Sequence, residues 1–372
     1  MVSRPGFVVV TTAWQQRRSS NARADGRGGV VRSGAFCYGQ RSIRPLNIPL
    51  PASSTVQSRA VMFCVIDAGQ IESDLADADW SLWSETEARV LRGETYRCRM
   101  TVAYDGTEFR GWQYQINTRN SVQATLEKVF SRRLNGFTRV VGASRTDTGV
   151  HARGQVAHFD IPEEIPKEDL QQDDSSGLSR LEFQVNRMLP ANLQVLRMEV
   201  APPPSLVKLP SGERLKPWHS IYCAQHKIYS YKIMFATCMD PLERLYRHHE
   251  YQACDTDLFE AALQRFVGTH DFSSFANRLS HGEVVRNPVR TVHSVRVIRD
   301  ERDPRLMTVE VDLQGALYKM VRNMIGAALH VARHDMPPEH IDVLLGARDR
   351  RIAPKAAPAR GLCLDRIFYA DY

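Results

Sequence analysis

The sequence predicts an α+β fold of two sheet-and-helix halves, residues 96–205 and 206–372, behind an N-terminal extension. Three observations carry this. Apolar residues alternate with polar ones at a period of two in several short runs, and they recur at helical spacing in others. The two kinds of run do not alternate strictly along the chain, which argues against a parallel β-α-β sheet. The 372-residue chain is 43% hydrophobic, enough for a large core. No run approaches the roughly 20 apolar residues of a bilayer span, and collagen-like, coiled-coil and wholly disordered classes are excluded.

Residues 1–66 hold nine Arg, no Lys and a single acid, Asp25, a net charge of +8. Arg-rich, acid-poor and rich in hydroxyls, this stretch has the composition of an organellar transit peptide, mitochondrial or plastid, and lacks the apolar core of a secretory signal. A disordered tail is the other reading. Residues 67–95 reverse the sign, with eight acids against Arg89 and Arg92, and read as an acidic linker with one short helix around Trp80–Leu91. From residue 96 onward 38 basic residues face 33 acidic ones, a net +5. The overall +7 therefore belongs to the leader more than to the body.

At Tyr96 the pattern becomes regular. Tyr96, Cys98, Met100, Val102 and Tyr104 alternate with polar residues up to the Asp105-Gly106 turn signal, which predicts a strand. Asn120 and Gln123 read as a capping box before Val122, Leu126, Val129 and Phe130, one helical face closed by Asn135-Gly136. Val140-Val141 and residues 155–161 read as strands flanking a loop at 144–154. Asp173 to Gly177 is a loop, followed by a helix to Leu189 and a strand through Leu196, Met198 and Val200. Pro202-Pro203-Pro204 marks a break. The second half repeats the theme: a strand from His226 to Phe235, a helix face at Leu258, Ala262, Leu263 and Phe266, and strands at 291–298 and 307–313. A long helix from Ala316 to Arg333 carries Leu317, Val321, Met324 and Leu329 inward.

Seven cysteines, odd in number and never spaced C-x-x-C, argue against a disulfide framework. Twelve histidines include no H-E-x-x-H spacing, so no metal site is expected.

The loop Ser144-Arg145-Thr146-Asp147-Thr148-Gly149-Val150-His151-Ala152 is the densest cluster of functional groups in the chain. Asp147 reads as a carboxylate nucleophile or base beside the Arg145 guanidinium, with which it forms a local ion pair or shares a cleft. It reads equally as a turn aspartate bonded to its own backbone. Gly149 permits a tight turn with close backbone approach.

Wider context separates the two. Ala103 to Thr107, Gly111-Trp112-Gln113, Ser121-Val122-Gln123 with Leu126-Glu127, and Arg145 to Ala152 followed by Gly154 to Phe159 resemble, in order and spacing, the TruA family of tRNA pseudouridine synthases. The second half adds Asn186 to Pro190, Ala224 to Tyr231, Gly268 to Phe275, Met320 to Gly326 and Gly361 to Leu364. The resemblance covers residues 96–372. It implies two ferredoxin-like halves whose antiparallel sheets join around a central basic cleft, isomerisation of uridine to pseudouridine in the anticodon arm of tRNA, a homodimer, and no cofactor or metal.

By the same resemblance Asp147 is the catalytic aspartate. Tyr229 stacks on the target base and handles the C5 proton. Arg322 pairs with the aspartate, and Arg145 holds the space of the flipped nucleotide. Leu362 is an apolar pocket wall. Arg110, Arg153, Arg187, His226, Lys227 and Lys319 are candidates for phosphate contacts. On alternation Tyr229 and Tyr231 share a strand face, so packing alone would account for either; Arg322 alone on an apolar helix would snorkel to water.

The chain departs from the family pattern at Ser144, where Gly is usual, at Thr148, where Ala is typical, and near Ile221, which lacks a basic neighbour. Two rival functions remain: a non-catalytic RNA-binding protein on the same fold, which has no need of Asp147, Tyr229, Arg145 and Arg322 together, and a glycosidase, for which the motifs hold no second acid.

Overall fold

The computed structural model describes residues 84–116, 120–170, 178–209, 212–277 and 287–370. The transit-peptide reading of residues 1–66, most of the acidic linker and the loop at 173–177 lie outside these residues.

A short helix, α1 (Glu85–Leu91), opens the described chain. Ser84 and Glu87 cap it reciprocally, and Ala88 and Leu91 are buried. Here the linker is more than a solvated spacer, because Glu87 also accepts from Lys216 Nζ at 2.8 Å. Strand β1 (Thr95–Tyr104) follows the predicted alternation, and α2 (Val122–Arg133) lays Leu126, Val129 and Phe130 on the sheet. Phe130 meets Phe159 at a ring distance of 4.5 Å. The cap of α2 differs from expectation. Ser121 accepts the Ala124 N–H at 3.2 Å, while Gln123 turns inward and donates to Glu127 and to the Val140 carbonyl.

Strands β2 (Val141–Gly142) and β3 (His151–Pro162), helix α3 (Ser179–Asn186) and strand β4 (Leu193–Val200) complete the first half. Strand β3 begins four residues before the predicted one. In β4 a register shift opposite Thr101/Val102 leaves Leu196 half-exposed and Met198 buried. After the proline break comes a separate hairpin, β5 (Ser205–Leu209) and β6 (Gly212–Lys216). The segment after it returns to the first half: Arg97 donates to the Trp218 carbonyl at 3.0 Å, and His158 bonds Ser220 Oγ at 3.0 Å.

The second half holds β7 (Ala224–Phe235), β8 (His248–Glu250), α4 (Thr256–Gln264), β9 (Gly268–Asp271), β10 (Val289–Arg299), β11 (Leu306–Leu313), α5 (Met320–Ala332), α6 (His340–Ala347) and β12 (Leu362–Tyr369). Helix α5 starts at Met320 rather than Ala316, because Lys319 takes a left-handed conformation at φ 61° and Leu317 stays in the preceding turn.

The first half follows a β-α-β-β-α-β order, the ferredoxin-like arrangement, and the second follows it too once β8, β9 and α6 are set aside as additions. In the first, β4-β1-β3 run in sequence with β2 on β3; in the second, the order is β12-β7-β11-β10, with β9 beyond. One sheet results. The two antiparallel sheets join through a parallel pairing of β3 with β12, Cys363 beside His151 and Leu364 beside Ala152. The same edge of β3 pairs with β2 further on, Val141 beside His158. The loop between β2 and β3, which carries Asp147, therefore leaves the sheet at the seam of the two halves.

Candidate active site

Each flank of the 144–150 loop is held by side chains that reach it from the sheet. Gln155 is fully buried on the β3 face that also carries Ala157 and Phe159. A polar residue there must find partners, and it spends both ends on Ser144: Oε1 accepts the Ser144 N–H at 3.2 Å and Nε2 donates to the Ser144 carbonyl at 2.6 Å. Lys227, buried on β7, donates from Nζ to the Ala143 carbonyl at 2.8 Å. Thr146 Oγ1 lies 2.8 Å from the Tyr104 hydroxyl, and its carbonyl accepts the Trp112 N–H at 3.0 Å. At the far end His151 accepts the Gly106 N–H at Nδ1 and donates from Nε2 to the carbonyls of Leu245 and Arg360.

The turn itself is local, Val150 N–H donating to the Asp147 carbonyl at 3.1 Å. Gly149 supplies its positive φ of 78°. The close backbone approach expected there occurs at Gly111 instead, at φ 87°, where an added Cβ would stand 2.7 Å from the Thr146 carbonyl oxygen.

So held, the loop turns the Asp147 carboxylate inward. Arg322, in the first turn of α5, donates from Nη1 to Oδ2 at 2.6 Å, and the two side chains are 12–13% exposed. Arg322 is itself oriented, its Nε donating to the Ala357 carbonyl at 2.8 Å. The ion pair thus crosses the seam, its acid from the first half and its base from the second. The second carboxylate oxygen of Asp147 has no hydrogen-bond partner among the described residues and is free to meet another molecule. Arg145 does not form the local ion pair; it is exposed and without a partner among the described residues.

Tyr229 stands beside this pair, 5% exposed on β7, with its hydroxyl 2.8 Å from Ser144 Oγ. Burial pushes its phenol up to about 12; the Ser144 bond opposes this and the Asp147 charge adds to it. It is a neutral phenol near neutral pH. Tyr231 shares the face but donates to the Pro358 carbonyl at 2.9 Å, which separates the two tyrosines by partner where alternation alone could not. Leu362 and Leu364, buried, lie across from Tyr231 and Tyr229 in the β12–β7 register.

The candidate phosphate contacts scatter. Arg110 and Arg187 are exposed, and Lys319 is half-buried before α5. His226 lies on the opposite sheet face from Tyr229, bonded to Asp312 at 2.8 Å and stacked on Phe368. Arg153 lines a recess on that same opposite face with His151, Lys232 and Arg247. Lys227 is interior, and burial lowers its ammonium to about 8. These three do not gather around Asp147.

The geometry can be set beside known proteins. Residues 262–370 match the family model described as tRNA pseudouridine synthase. The tRNA pseudouridine synthase A 1 of Protochlamydia amoebophila is 38% identical over 274 residues, covering 73% of this chain and 96% of that protein. The chain belongs to the tRNA pseudouridine synthase A family. Family members named tRNA pseudouridine synthase A from Maridesulfovibrio salexigens and Latilactobacillus sakei are each 34% identical, over 277 and 276 residues. They cover 74% of this chain, which spans 91% and 99% of theirs. Thr148, one of the family departures, is exposed. Ser144, another of them, is the residue bonded to Tyr229.

Proposed function

We propose that this protein is an isomerase that converts uridine to pseudouridine in tRNA, with Asp147 as the carboxylate that carries the reaction. The observation that supports it most is the Asp147–Arg322 pair: a carboxylate largely removed from water, fixed on one oxygen by a largely buried guanidinium and, among the described residues, without a partner on the other. The reaction breaks the N1–C1′ bond and forms C5–C1′, so N1 gains a proton and C5 loses one while both fragments stay bound. An ionised, oriented carboxylate serves as nucleophile or as countercharge during that separation. The buried Leu362 and Tyr229 keep water out, and Tyr229 offers a flat face for the base and a hydroxyl for the C5 proton. Arg145, exposed and without a partner among the described residues, is the group to fill the gap left by a flipped nucleotide. Arg110, Lys319 and Arg187 remain as phosphate contacts at a basic cleft.

Three finer parts of the proposal rest on the sequence alone: the anticodon arm as target, a homodimer as the working form, and an organelle as the compartment, the last on the Arg-rich leader. Unmodified tRNA transcripts incubated with the purified protein test the core reading; mapped pseudouridines are the expected result, and tRNA bound but unmodified would overturn it. A reporter fused to residues 1–66 is expected in an organelle, and a cytosolic reporter would remove that part.

A further inference from the structure

We propose that Ser144 is a positioning residue for the Tyr229 phenol, fixing how its hydroxyl is presented to the target base. The proposal rests on the reading of Tyr229 given above. The Tyr229 ring is 5% exposed, and its hydroxyl has one hydrogen-bond partner among the described residues, Ser144 Oγ at 2.8 Å. A buried phenol with a single partner takes its orientation from that partner. Ser144 is only half-buried, so it is also the polar atom that connects the phenol to the open side of the site.

The serine is unusually well placed for this. Its main chain is gripped at both N–H and carbonyl by Gln155, and the preceding carbonyl is held by Lys227. Lys227 and Tyr229 lie two apart on one face of β7, so that strand meets Ala143 and Ser144 in the same order. The hydroxyl is therefore delivered to Tyr229 by a backbone that other residues hold in place. A glycine, usual at this position in the family, has no atom to make the bond. The bond also works against burial and the Asp147 charge in setting the acidity of the phenol.

Because Gln155 and Lys227 hold the backbone independently of Oγ, Ser144→Ala and Ser144→Gly should fold. Single-turnover rates and tRNA dissociation constants are measured for these, for Tyr229→Phe and for the Ser144→Ala/Tyr229→Phe double variant. Loss of the one partner this buried hydroxyl has among the described residues is expected to lower the rate roughly tenfold, with tRNA affinity unchanged within about twofold. The double variant should be no slower than Tyr229→Phe alone, which a role confined to loop structure would not produce. Losses that simply add, or Ser144→Ala at the wild-type rate while Tyr229→Phe is slow, would overturn the role of Ser144 and leave that of Tyr229 standing. Tyr229→Phe at the wild-type rate would instead overturn the reading of the phenol itself, and this proposal with it.

Discussion

Arg322→Met isolates the ion pair that spans the seam. The methionine keeps the apolar stem of the side chain and removes the guanidinium, together with two bonds: 2.6 Å to Asp147 Oδ2 and 2.8 Å to the Ala357 carbonyl. Asp147, 12% exposed, is left as an interior carboxylate without a countercharge. Breaking a buried pair in this way costs about 3–5 kcal/mol of stability. A hydrogen bond to a charged group is worth about 1.5–3 kcal/mol, so the loss of aim should slow the chemical step by roughly tenfold to 150-fold. The assay follows from the reaction: tRNA tritiated at uracil C5 releases tritium to water as C5 joins the sugar. Single-turnover release, filter binding of tRNA and urea unfolding then separate rate, affinity and stability. The rate should fall by that factor while affinity changes less than about threefold. In an Asp147→Asn background the stability cost of Arg322→Met should shrink, since a neutral amide leaves no stranded charge. Equal losses of rate and affinity, or fully additive stability losses, would refute the pairing argument.

Further outcomes follow from the same geometry. Burial holds His219 and His248 neutral down to about pH 4 and His158 to about 2. Their folded values lie below the unfolded 6.5, so the stability they protect is complete above pH 6.5 and is lost as pH falls toward about 4 for His219 and His248 and toward about 2 for His158. At pH 5 the cost is about 1–2 kcal/mol for each; a urea midpoint equal at pH 7 and pH 5 would contradict this. Gly111→Ala adds a methyl 2.7 Å from the Thr146 carbonyl oxygen at a φ of 87°. A left-handed alanine alone costs about 1 kcal/mol or more, so both melting temperature and rate should drop, and a variant with wild-type values would show that the loop does not depend on this approach. Lys227→Met tests placement: as an interior anchor it should slow the reaction and leave the salt dependence of tRNA binding unchanged, whereas a phosphate contact would lower the salt slope by about 1.

Much of the scaffold was legible because burial wrote it as periodicity. The alternation from Tyr96 to Tyr104 and the helical face of α2 needed no tertiary information, whereas on α4 it is Phe259 rather than Leu258 that joins Ala262 and Leu263 in the core. The site divided differently. Asp147, Tyr229, Leu362 and Arg322 were singled out by the resemblance, and the structure shows what alternation could not, that Tyr229 and Tyr231 differ in hydrogen-bond partner. His226 on the far face was readable, since it lies three positions before Tyr229 on one strand, an odd offset. Arg153 was not: the β1–β3 register slips between Ala152 and Gln155, and such a bulge resets the parity of every residue before it. Gln155 left a signal that went unused, a polar residue in the core-facing series with Ala157, Phe159 and Ile161. Lys227 left none, because nothing in sequence tells a buried lysine from an exposed one until the carbonyl it meets is known. The cap of α2 was misassigned by one residue, as Asn120, Ser121 and Gln123 all carry capping chemistry and only backbone geometry chooses among them.

The central claim is that the Asp147 carboxylate performs the chemistry, and Asp147→Asn tests it most directly by exchanging one oxygen for an amide of the same shape. With the folded variant bound to C5-tritiated tRNA at saturation, the account predicts no release of tritium above background, with tRNA affinity unchanged within about threefold; release at the wild-type rate would contradict it.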